Sequence, residues 1–296
     1  MNHLTAECLL PVAANLGEGP CWVDGRLWWV DIERCEVHRL DLASGRDHAW
    51  TLPSRVGFAI PTTGSHLVVG TEEGLGRFDP GSGSLIVITR PSSWRPGIRF
   101  NDAKCDPAGR LWAGTMACDE QPGCGTLYRV DSHWQAKPMV HQITVSNGLA
   151  WSPDGGTMYY IDSPSRRVDA FDFRDGEISG RRSVVEIADG FPDGMCLDAR
   201  GNLWIALWGG WGVACHDPRT GKRLARIDVP VECVTSCCFG PDDELFITCA
   251  SRDLTPAGRL RQPLAGGLFR ARVGVHGPPG EPHLFRDESA TALVSP

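Results

Sequence analysis

The chain has 296 residues, 42% hydrophobic and 22% charged, the balance of a folded globular protein and not of a disordered one. Acidic residues outnumber basic ones 36 to 29, a net charge of −7, which argues against a nucleic-acid surface or an anionic membrane as partner. No stretch approaches the ~20 apolar residues of a membrane span and residues 1–16 lack the flank and core of a secretory signal, so a cytoplasmic monomer is expected. The twelve cysteines are too sparse in a chain of this length to be a disulfide scaffold, and they read as free packing thiols. Cys233, Cys237 and Cys238 cluster, but no second pair stands at zinc-site spacing.

In chain order, residues 7–13 have strand character but no hairpin partner of their own. One phrase then recurs six times: a Gly- or Asp-rich turn, a small polar residue, an apolar anchor and an alternating apolar strand. Its clearest copies are Asp24-Gly25-Arg26-Leu27-Trp28-Trp29, Pro107-Ala108-Gly109-Arg110-Leu111-Trp112 and Asp198-Ala199-Arg200-Gly201-Asn202-Leu203-Trp204. The anchors are Leu27, Leu67, Leu111, Met158, Leu203 and Leu245, separated by 40, 44, 47, 45 and 42 residues. In five copies a further strand ends in an Asp turn, at Asp41, Asp79, Asp131, Asp172 and Asp217. Units of ~40–50 residues with four short strands are propeller blades. The fold predicted is therefore all-β, a six-bladed β-propeller forming one domain over residues 1–296. Residues 7–13 are placed in the last blade, beside residues 266–273, where they close the ring. Residues 251–265, with Pro256 and Pro263, read as a long loop inside blade six, and the tail after Asp287 as a frayed end.

The first strand of each blade lines the channel and lies just before the repeated turn. Nine to eleven residues ahead of the anchors stand Glu18, Asn101, Asn147 and Asp193, with Gly57 and Thr235 at the same register in blades two and six. Equal register in a closed ring means equal depth, so the four polar side chains should meet at one mouth. Two carboxylates and two amides facing one another suit a hard, oxygen-preferring divalent cation. Without one, Glu18 and Asp193 would repel each other, raising the pKa of one of them. Each of the four is also an acceptable turn residue on its own. The glycine clusters at 74–76 and 209–212 lack a nucleotide-binding setting, and Ser146 and Ser236 lack a nucleophile elbow. Trp208 and Trp211 could cover a sugar-like ligand or pack against a neighbouring blade.

Five motifs together resemble the gluconolactonase family that includes the senescence marker protein regucalcin, over about residues 10–285. They are Leu16-Gly17-Glu18-Gly19-Pro20, Arg99-Phe100-Asn101-Asp102, Ala113-Gly114-Thr115-Met116, Ser146-Asn147-Gly148-Leu149-Ala150-Trp151 and Pro192-Asp193-Gly194-Met195. The stretch 206–212 is similar to the bacterial sugar-lactonase branch. The resemblance implies one divalent cation at the channel top, held by Glu18, Asn147 and Asp193; calcium ranks first, with Mg, Mn, Fe(II) or Zn as alternatives. It implies that Arg99 and Asn101 contact substrate, and that Asp119, with Glu120 beside it, stands where the family often has a Glu. Asp102 would orient a metal-bound water, and Asp193 would double as the catalytic base unless a metal hydroxide takes that role. The expected activity is hydrolysis of a sugar aldonolactone to its aldonic acid. An organophosphate or aryl-ester hydrolase and a non-catalytic calcium-binding propeller remain the alternatives.

Overall fold

In the computed structural model, residues 2–91, 94–278 and 283–288 are described. The N-terminal segment supplies β1 (Asn2–Thr5) and β2 (Glu7–Leu10). Blade one follows as β3 (Gly17–Val23), β4 (Arg26–Asp31), β5 (Glu36–Asp41) and β6 (Arg46–Thr51), and blade two as β7 (Val56–Pro61), β8 (Leu67–Thr71), β9 (Gly74–Asp79) and β10 (Ser84–Thr89). Blade three holds β11 (Ile98–Cys105), β12 (Leu111–Ala117), β13 (Gly125–Val130) and β14 (Ala136–Ile143); blade four holds β15 (Ser146–Trp151), β16 (Thr157–Asp162), β17 (Arg167–Arg174) and β18 (Glu177–Glu186). Blade five is β19 (Phe191–Leu197), β20 (Leu203–Trp208), β21 (Gly212–His216) and β22 (Arg223–Asp228). Blade six has β23 (Val234–Phe239) and β24 (Glu244–Cys249), then, after α1 (Pro256–Arg261), β25 (Leu268–Arg272).

Each blade is an antiparallel meander, and each first strand touches the first strands of both neighbours, so the ring closes. All six anchors lie at the head of the second strand and are at most 2% exposed. One apolar cluster fills each of the six interfaces between blades, from Trp28, Val69 and Phe78 between blades one and two to Leu27, Trp29 and Phe246 between six and one. Second strands are thus buried on both faces, which corrects the alternating pattern expected of them: nearly every position in them is covered by a neighbouring blade.

The repeated turn has a chemical cause. Asp106 accepts N–H bonds from Ala108 and Arg110 and the Trp112 indole, and Asp198 does the same for Arg200, Asn202 and Trp204. Gly109 (φ 79°) and Gly201 (φ 81°) supply the left-handed corner between them.

The expected seam is present: β2 pairs antiparallel with β25 and completes blade six. The closing strand is shorter than residues 7–13, ending at Leu10. Beyond the expectation, β1 adds to blade five as a fifth strand, parallel to β22. The long loop of blade six contains α1, capped by Thr255, whose side chain accepts from Gly258 N, with Pro256 in the first turn. Asp287 is tied down by His66, Arg77 and Trp134; of the tail expected to fray after it, Glu288 donates its N–H to Ser132 O at 3.3 Å, and 289–296 lie outside the described residues. All twelve cysteines are free.

Candidate functional site

The six first strands begin at one end of the channel, and in every one the ladder slips near its start. The slips fall between Glu18 and Cys21, Val56 and Phe58, Phe100 and Ala103, Asn147 and Leu149, Pro192 and Met195, and Val234 and Ser236. A β-bulge releases a residue from the ladder and re-aims its side chain. This places Glu18, Asn101, Asn147 and Asp193 together, each no more than 7% exposed. The other two blades contribute little here. A Cβ on Gly57 would strike the carbonyl oxygens of Phe100 and Asn101, and Thr235 donates its hydroxyl to Gly17 O at 2.6 Å.

A chain of hydrogen bonds fixes the amides. Arg99 Nη1 donates to Asn101 Oδ1 at 2.6 Å and to Phe100 O at 3.1 Å. Asn101 Nδ2 donates to Ser146 O at 2.8 Å and to Asn147 Oδ1 at 3.1 Å. Asn147 Nδ2 donates to Ser163 Oγ at 2.8 Å, and Ser163 passes its own proton to Pro192 O at 2.7 Å. A hydroxyl has one proton, so Ser163 must accept from Asn147, and the Asn147 oxygen is held toward the funnel. Nothing in the local sequence singles out Ser163; it comes from the turn after the second strand of blade four.

Three carboxyls are buried beside these amides. Glu18 is pushed up to about 8, first by burial and then by the charge of Asp102, against a 2.9 Å bond from Gly19 N. Asp193 is driven well above the usual carboxylate range, by burial and then by Glu18 and Asp102. Burial also raises Asp102, whose Oδ1 accepts from Ala103 N at 2.7 Å. Asp193 Oδ1 is buried with no hydrogen-bond partner. Lys104 lies just beyond, spanning from blade three to Met195 O in blade five at 2.8 Å. Burial lowers the pKa of the Arg99 guanidinium.

Asp119 is not brought to this group. It is exposed, and its Oδ1 accepts from Gln121 N at 3.3 Å. Its neighbour Glu120 faces the mouth instead, 3.6 Å from Arg252. Trp208 is half-buried beneath the Arg252 guanidinium, whereas Trp211 is exposed.

The donor set fits a hard cation. It consists of oxygens only, an orphaned carboxylate oxygen among them, and mutually raised carboxyls gain by sharing a positive charge. Among the described residues no three His, Cys, Asp or Glu side chains are grouped to hold a metal, so amide and solvent oxygens would complete the shell.

The fold and this site together define a six-bladed propeller whose channel opens through a buried, acidic, amide-lined funnel. Residues 16–251 match the SMP-30/gluconolactonase/LRE-like region. Human regucalcin is 40% identical over 293 residues, covering 94% of this chain and 97% of its own. A protein of Bacillus subtilis (strain 168) named as a sugar lactone lactonase, YvrE, is 37% identical, covering 89% of this chain and 93% of its own. The structure of a calcium-binding regucalcin from Agrobacterium tumefaciens superposes with a TM-score of 0.90 at 29% identity, covering 96% and 98% of the two chains. The chain belongs to the SMP-30/gluconolactonase family.

Proposed function

We propose that this protein hydrolyses a sugar aldonolactone to the aldonic acid, using one divalent cation held by Glu18, Asn147 and Asp193. The observation that carries the reading is the buried, unpartnered Asp193 Oδ1 beside Glu18 and Asp102. Three carboxyls out of solvent, with no salt-bridge partner among the described residues, are costly unless a cation joins them. When bound, the cation polarises the lactone carbonyl and offsets the charge that develops on its oxygen. Arg99 spends Nη1 on Phe100 O and Asn101 Oδ1, which orients its plane and leaves its other N–H groups for substrate oxygens. Asn101 is locked from both sides and sets the position of Asn147. Asp193 accepts the proton of the attacking water. Asp102 orients that water. A neutral, polyhydroxylated ring suits a small polar funnel without electrostatic steering. The family membership and the lactonase name of the Bacillus relative support the same class. Calcium is the first choice of cation, because the Agrobacterium relative is described as calcium-binding.

The test is acid release from a panel of fresh aldonolactones near neutral pH, corrected for spontaneous opening, with and without chelator. Hydrolysis lost on chelation and restored by one divalent cation is expected. Stoichiometric cation binding without turnover would replace this reading with a calcium-binding propeller.

A further inference from the structure

The turns above the funnel carry charges that the proposed reaction does not use. Arg252, in the turn after β24 of blade six, is the hub. Its backbone N–H donates to Asn15 O at 2.9 Å and the preceding Ser251 Oγ to Ala14 O at 2.8 Å, so its root is fixed. Its guanidinium sits over the Trp208 ring, 6.0 Å from the centroid. From there Nη1 lies 3.6 Å from Glu33 of blade one and Nη2 3.6 Å from Glu120 of blade three. In a ring of six, blade three faces blade six, so the Arg252–Glu120 pair spans the mouth. The circuit also closes the long way round: Arg55 bridges Glu33 and Glu72 at 3.0 Å each, and Cys118 Sγ donates to Glu72 at 3.4 Å. Arg99, beneath, feels Cys118, Glu33, Arg252 and Arg55 together. The Arg252 side chain is 27% exposed and Glu120 55%, so the spanning pair is wet and weak enough to open.

We propose that Arg252 and Glu120 form a size-selecting latch across the mouth, which sets the largest substituent a lactone can carry into the funnel. The proposal rests on the lactonase reading. Two isolated substitutions test it: Glu120→Gln removes the charge at constant size, and Arg252→Met keeps the stem over Trp208. For wild type and variants, kcat/KM is measured on δ-gluconolactone and on its derivative bearing a glucosyl group at O4. Each single variant should shift the ratio toward the bulky lactone by roughly twofold to fivefold. The double variant should shift it no further, since the same pair is lost. High salt should move wild type in the same direction and leave the double variant unmoved; both substrates are neutral, so steering does not contribute. An unchanged ratio, or additive effects of the two substitutions, overturns the latch. Hydrogen exchange gives a readout free of turnover: Glu120→Gln should raise exchange in residues 251–255, on the opposite blade. No change there also overturns it. Raised exchange with no lactone turnover in wild type would instead sink the lactonase reading and its size selection while the cross-mouth contact stands.

Discussion

Substituting Glu18→Gln should make the cation-free protein more stable at neutral pH. The folded protein holds the Glu18 carboxyl at about 8 against an ordinary 4.5, chiefly by burial and then by the neighbouring Asp102. The folded state therefore keeps a proton that the unfolded chain releases, and its stability falls as pH rises from about 4.5 through 8. At pH 7 the shift amounts to about 3 kcal/mol, and above pH 8 to about 5 kcal/mol. With an unfolding entropy of ~2.1 cal/mol/K per residue, 3 kcal/mol is about 5 °C in Tm. The assay is thermal unfolding of chelator-treated wild type and Glu18→Gln at pH 5, 7 and 8. Wild type should lose about 4 °C more than the variant between pH 5 and 7. Saturating divalent cation should restore wild type and do little for the variant. Parallel pH profiles for the two proteins would refute the claim that this carboxyl is buried without a compensating charge.

Three further outcomes are expected. Ser163→Ala removes the acceptor that fixes the Asn147 amide and should weaken divalent-cation binding about 10-fold to 100-fold by calorimetry, with the circular dichroism unchanged; unchanged affinity would mean that Asn147 holds its orientation without it. Arg99→Lys keeps the charge but loses the planar guanidinium whose Nη1 serves Phe100 O and Asn101 Oδ1 while its other N–H groups stay available to substrate, and should lower kcat/KM about 10-fold to 100-fold in lactone turnover. Asp287→Ala breaks the ties to His66, Arg77 and Trp134 and should cost about 3 kcal/mol in denaturant unfolding, with activity per folded molecule preserved.

Leu27, Leu67, Leu111, Met158, Leu203 and Leu245 announce the blades because each starts a strand buried between two neighbours, where only apolar side chains fit. Glu18, Asn101, Asn147 and Asp193 are legible for a related reason: a fixed distance from a buried anchor is a fixed depth in the channel. The bulges that turn them inward leave no such trace, since a slip of one residue alters pairing without changing composition. The strand β1 carries no turn signal that separates it from β2, since Leu4 shares the apolar spacing of Cys8 and Leu10; only the structure shows the chain leaving one blade for the next at Ala6. The helix α1 did carry a signal, Thr255 followed by Pro256, hidden by the prolines and arginines around it. Ser163 reaches Pro192 and Arg252 reaches Glu33 and Glu120 across blade boundaries, and no local pattern points to those contacts. Asp119 and Glu120 are neighbours whose roles hinge on a turn in which Glu120 takes a left-handed conformation (φ 58°), which spacing alone does not reveal.

The seam has a consequence for how the protein is made. Strand β2 leaves the ribosome roughly 260 residues before its partner β25, and at ~5–20 residues per second that is a wait of roughly 10 to 50 s. During that interval β2 waits without the rest of blade six, and apolar Leu9 and Leu10 have no partner strand to cover them. β1 shortens the exposure: its partner β22 emerges about 45 residues earlier than β25, and docking there holds β2 close to where it is needed. A bulky fusion ahead of β1 would burden this wait, and its damage should show in the yield of soluble protein instead of in the melting temperature of what does fold.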